Sequence, residues 1–76
     1  MTDTKLLRME IDNSGISIAF ISRKLGITRE GFYQKLNGKR EFKASEIVAL
    51  CSVLHLSVEK REKIFFAEIS DFKSLD

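Results

Sequence analysis

Residues 26 to 40 read GITREGFYQKLNGKR. Within them Arg29, Lys35, Lys39 and Arg40 stand against a single acid, Glu30. The imbalance extends to both sides. Residues 17–43 carry seven basic residues against two acids, whereas residues 1–16 carry two against three and residues 44–76 carry four against six. A net charge of only +2 therefore conceals a central zone of +5 between two slightly acidic flanks. Such segregation places positive charge on one face and points to a polyanionic partner.

Other chemistry is thinly represented. His55 is the single histidine, and a general base needs a partner and a substrate pocket that the sequence does not supply. It is expected near the negative end of a helix. Cys51 is the single cysteine, so no internal disulfide and no cysteine-based zinc site is expected, and a reducing compartment fits. It falls on an apolar helical stripe, where cysteine acts as a small hydrophobe. No catalytic constellation, metal site or cofactor is expected, and no small-molecule substrate.

The elements that carry the basic zone follow from length and pattern. Seventy-six residues make one domain with one modest core. There is no proline and little glycine, which disfavours a turn-rich sandwich or barrel. No stretch approaches the roughly 20 apolar residues of a membrane span. The start MTDTKLLRME has no apolar run of a signal peptide, so a cytoplasmic protein is expected.

Periodicity and punctuation predict five helices. The first runs from Thr4 to Asn13, capped by Thr2 or Thr4, with Leu7 and Ile11 inward and Ser14-Gly15 as its stop. Ser17 caps a second, Ile18 to Leu25, which Gly26 ends. Thr28 caps a third, Arg29 to about Asn37, with Phe32 and Leu36 inward. Between these two lies a tight corner. A fourth runs from about Ala44 to His55 with Ile47, Leu50, Cys51 and Leu54 inward. Ser57 caps a fifth, which contains Ile64, Phe65, Phe66 and Ile69 and ends between Ala67 and Leu75. Residues 38–43 form a loop. The domain is placed at 1–68, with 69–76 as an extension.

The stretches IAFISRKLGITREGFYQKLNGKR and EIVALCSVLHLSVEKREKIFF resemble the lambda-repressor-like helix-turn-helix domains of phage and bacterial repressors and Cro proteins. The resemblance covers about residues 5 to 66 and is closest to small phage regulators of Gram-positive hosts. Ser22 takes the family's small residue four before the corner glycine. Gly26 takes the corner, Ile27 the apolar place after it, and Asn37-Gly38 the end of the third helix. Ile18 stands where the family often has glutamine, so no DNA role carries over to it.

The resemblance implies an all-α, compact five-helix fold with helices 2 and 3 as the helix-turn-helix. It implies a sequence-specific regulator that reads operator DNA in the cytoplasm of a bacterial host. The third helix would lie in the major groove. Arg29, Glu30, Tyr33 and Gln34 would then face the bases. Arginine pairs bidentately with guanine, glutamine pairs with adenine, and glutamate accepts from cytosine or orients Arg29. Ser17 and Thr28 at helix N-termini, with Lys24, Lys35, Asn37, Lys39, Arg40 and Lys43, would touch phosphates. A homodimer on a near-palindromic site is usual for the family. The alternative is a small phage modulator that binds the phage repressor protein. Phe65, Ile69, Phe72 and Leu75 are the expected protein-interaction surface, since they exceed what so small a core absorbs.

Overall fold

The computed structural model describes residues 2–66. Within them the chain is all-helical: α1 (Thr4–Ser14), α2 (Ile18–Leu25), α3 (Arg29–Leu36), α4 (Ala44–Val53) and α5 (Val58–Phe65). No strand occurs among the described residues. Three of these helices, α2, α3 and α5, are only eight residues long. Helices of that length do not persist alone in water, so packing and caps must hold them.

The caps are side-chain oxygens that accept from an otherwise orphaned backbone N–H. Ser17 accepts from Phe20, Thr28 from Gly31 and Ser57 from Lys60, all at 3.0–3.1 Å. Each such cap contributes about 1 kcal/mol. For α1 the cap is Asp3, which accepts from Leu6 at 3.0 Å, and not Thr2 or Thr4. A carboxylate there also meets the positive end of the helix, which a threonine cannot exploit.

The core joins all five helices. Leu7 and Ile11 of α1, Ile21 of α2, Phe32 and Leu36 of α3, Leu50 of α4, and Ile64 and Phe65 of α5 are buried together, with Leu54 just beyond α4. The helix α2 packs chiefly on α4, α3 lies against α2 and α1, and α5 lies against α1. Phe42 completes this core from the loop between α3 and α4. Its ring stands edge-on to both Phe32 and Phe65, with centroids 6.0 Å apart in each pair. Aromatic pairs of this kind contribute about 0.5–1.5 kcal/mol beyond burial. An inward anchor in that loop was not expected from the sequence.

The corner between α2 and α3 is short because Gly26 adopts the left-handed conformation, φ 74°. Its N–H and that of Ile27 close onto the last carbonyls of α2, with Ile27 N–H reaching Ser22 O at 3.1 Å. Ile27 then packs on the core, and extended Thr28 starts α3.

The last two helices end earlier than predicted. Helix α4 stops at Val53, and His55 takes a left-handed φ of 53° while Leu56 N–H returns to Cys51 O. Helix α5 stops at Phe65, since Phe66 leaves helical geometry at φ −131°, ψ 37°. The helical stripe expected to run on through Phe65 therefore ends there. Phe65 is itself core and not interaction surface, while Phe66 is exposed. Ile69, Phe72, Leu75 and the domain boundary at 68 lie outside the described residues.

Candidate functional site

Helix α3 buries Phe32, Lys35 and Leu36 and turns the opposite side outward. Arg29 and Glu30 occupy its first turn, both exposed, and Tyr33 is 46% exposed one turn on. Gln34 is half-buried. The four residues expected to face bases thus share the accessible side of one short helix, three fully and one in part.

Gly31 lies on the same helix, beside its cap. A Cβ there would meet Thr28 Oγ1 at 3.2 Å, the atom that caps the helix through the Gly31 N–H. Nothing of α2 lies near that position, so close approach of α2 is not what calls for glycine. Ser17 and Ser57 cap Phe20 and Lys60, which do carry a Cβ, so a side chain at 31 would ask only a small shift of the Thr28 hydroxyl.

The residues expected to touch phosphates divide into two groups. Ser17, Lys24, Thr28, Asn37, Lys39, Arg40 and Lys43 are all exposed. The hydroxyl oxygens of Ser17 and Thr28 accept from the backbone as caps, which leaves each O–H to donate outward. The Lys24 ammonium stands 5.3 Å from the centroid of the exposed Phe20 ring. Asn37 ends α3 and accepts through Oδ1 from the Arg8 guanidinium. Arginine only donates, so the contact fixes which way the amide points and directs its NH2 elsewhere. Arg8, from the acidic N-terminal third, was not expected beside this surface.

Lys35 forms the second group and is a correction. It is 3% exposed, and its ammonium bonds Glu46 Oε1 at 2.5 Å inside the protein. A buried ammonium bonded to a carboxylate is not free for phosphate. The wheel contained the signal: Lys35 lies three residues after Phe32 and next to Leu36, on the inward stripe. Glu46 is itself 5% exposed and sits in the first turn of α4. The same Oε1 accepts from the Lys43 N–H at 2.8 Å, the return half of a capping box. A lysine side chain has no acceptor to supply the other half. Burial pushes the Glu46 carboxyl up, but the Lys35 bond, the Lys43 N–H and both lysine charges outweigh it, and the net shift is downward. Glu46 is therefore ionised at neutral pH.

The chain was compared with family models, with curated proteins and with solved structures, and it matches none. The lambda-repressor-like resemblance thus stands on its two sequence stretches and on the positions quoted for it.

Elsewhere the surface offers little for catalysis. Burial pushes the half-buried Cys51 thiol up, opposed by the charge of Arg61, so a reactive thiolate is disfavoured. No group of three or more histidine, cysteine or acidic side chains that could hold a metal ion occurs among the described residues. No described helix is long and apolar enough to cross a membrane. A cleft of about 240 Å³ lies beside Tyr33, floored by Ile11, Ile18 and Leu36 and edged by Arg8 and Asp12.

Proposed function

We propose that the protein is a sequence-specific DNA-binding regulator of the lambda-repressor-like helix-turn-helix type, with α2 and α3 as the two helices of the motif. One observation carries this reading. The short helix α3 is held from behind by Phe32, Leu36 and Lys35, while Arg29, Glu30 and Tyr33 stand free on its outer side. A helix so held can enter a major groove, and its N-terminal residues reach the base edges. The exposed Ser17, Lys24, Thr28, Asn37, Lys39, Arg40 and Lys43 suit the phosphates alongside. The +5 charge of residues 17–43 supplies the long-range attraction.

Fluorescence anisotropy with a library-selected duplex and with random-sequence duplex, at two or more salt concentrations, tests it. A specific regulator binds the selected duplex at least about a thousandfold more tightly. Equal affinity for both would remove sequence reading, and no binding to either would remove DNA as the partner.

A protein partner, such as a phage repressor, is the second reading. What favours it is an apolar surface across α4 and α5. Ala44, Ile47, Val48 and Phe66 line a groove of about 370 Å³ there with Arg61 at its edge. Val48 is 69% exposed and Phe66 37%. Exposed apolar groups gathered in one place mark interaction surfaces. Sedimentation of the protein alone and with a candidate repressor separates a homodimer, a mixed complex and neither.

A further inference from the structure

The Lys35–Glu46 bond spans eleven residues and closes the loop from α3 to α4 into a ring. Four further ties hold that ring. Gly38 N–H bonds Lys35 O at 3.1 Å, and Lys39 N–H bonds Gln34 O at 2.9 Å. Phe42 inserts into the core, and Lys43 N–H is held by the same Glu46 oxygen that receives Lys35. Lys39, Arg40 and Lys43 are the exposed cations carried on the ring, and the first two lie away from the clamped Lys43 amide.

A buried ion pair is a poor device for stability, because desolvating both charges offsets most of their attraction. Two apolar side chains of similar size fill such a site as well or better. What an apolar pair lacks is direction. One carboxylate oxygen shared between an ammonium on α3 and a backbone N–H at the start of α4 fixes their separation and angle together.

We propose that Lys35 and Glu46 are positioning residues, whose buried bond holds the 38–43 loop in the shape that presents Lys39 and Arg40 to the DNA backbone. Control of the loop's shape stands whatever the partner is. The consequence for binding rests on DNA being that partner.

The test compares wild type, Lys35→Met/Glu46→Leu and Lys39→Gln/Arg40→Gln. The first variant removes one charge of each sign, so net charge and long-range attraction are unchanged. Its thermal unfolding is expected to stay close to that of wild type. On random-sequence duplex it is expected to bind about tenfold more weakly, with a salt slope reduced by up to about two units, like the variant that lacks the loop cations. Native-state amide exchange is read at Gly38 and Lys39, because the Lys43 amide loses its acceptor in the Met/Leu variant. Both amides are expected to exchange faster in the Met/Leu protein while the core amides do not. Unchanged affinity and slope in a folded Met/Leu protein would overturn control of binding. Unchanged exchange at both amides would overturn control of the loop.

If wild type binds no DNA, the functional reading falls, and amide exchange alone judges the clamp. If the Met/Leu protein does not fold, Lys35→Gln/Glu46→Gln takes its place. It keeps a donor, an acceptor and the net charge, but its neutral bond tolerates more misalignment. A smaller change in the same direction supports the proposal, and unchanged exchange and slope overturn it.

Discussion

The stretch from Gly26 to Lys43 and the stretch from Ala44 to Phe66 are built on opposite plans. The first keeps its aromatic groups Phe32 and Phe42 inside and its ions outside; Tyr33, exposed, and Lys35, buried, break the pattern. The second balances three basic residues against three acids and leaves Val48, Val58 and Phe66 exposed. Both must hold short helices against one small core, and both use side-chain oxygens as caps. The difference lies in what remains for solvent or a partner. The first stretch offers directional charge, which suits a polyanion, and the second offers apolar surface, which suits a protein.

The contrast is sharpest between Lys35 and Lys39, four residues apart, one buried on Glu46 and the other exposed. Lys35→Met alone would strand the Glu46 carboxylate, and the expected loss is about 3–5 kcal/mol. Lys39→Met would change stability by less than about 0.5 kcal/mol. Urea unfolding of both variants measures the gap, and equal small losses would mean that the pair is not closed in solution. Next in size are the base-facing residues. Arg29→Ala and Gln34→Ala should each lose about 1–3 kcal/mol on a selected duplex and much less on random DNA. Equal losses on both duplexes would return those side chains to the phosphate class.

Lys39→Gln and Arg40→Gln should weaken binding to every duplex and lower the salt slope by about one unit each. A slope that moves in neither variant would take the loop off the DNA and shift weight to the α4–α5 surface. The smallest effect concerns Ser22, which lies behind the corner. Its hydroxyl is buried with no hydrogen-bond partner. Ser22→Ala should therefore raise stability by up to about 1 kcal/mol and leave DNA affinity unchanged. A destabilised alanine variant would mean that the hydroxyl does find an acceptor.

Caps and glycines made most of the helix starts legible. Ser17, Thr28 and Ser57 each precede a helix that begins at the next residue. Helix ends were less legible, because periodicity says nothing about where packing stops. His55 ends α4 by adopting a conformation that histidine seldom takes, and Phe66 breaks α5 inside an apolar run. The exposed side of α3 could be read from a helical wheel. Lys35 could not be read from its type, since lysine almost never lies fully buried unless paired, and its partner is eleven residues away. Phe42 sits between Glu41 and Lys43, where no period marks it as core.

One backbone contact ties the two ends of the described chain. Asp3 N–H donates to Ile64 O at 2.6 Å, just where α1 starts and α5 nears its end. A contact between residues so distant in sequence carries a high loop-closure cost and is expected to close after the intervening helices have shortened the loop. It is then expected to belong to the native state and not to the barrier. Asp3→Pro removes the N–H together with the carboxylate that caps α1; compared with Asp3→Ala, which removes the cap alone, it should speed unfolding and barely slow refolding. Stopped-flow chevrons would show this as a raised unfolding limb, and a lowered refolding limb would mean that the ends meet early. A raised unfolding limb would place control of the protein's resistance to slow attack, by proteases or by heat, at the junction of its two ends and not at the surface proposed to meet DNA.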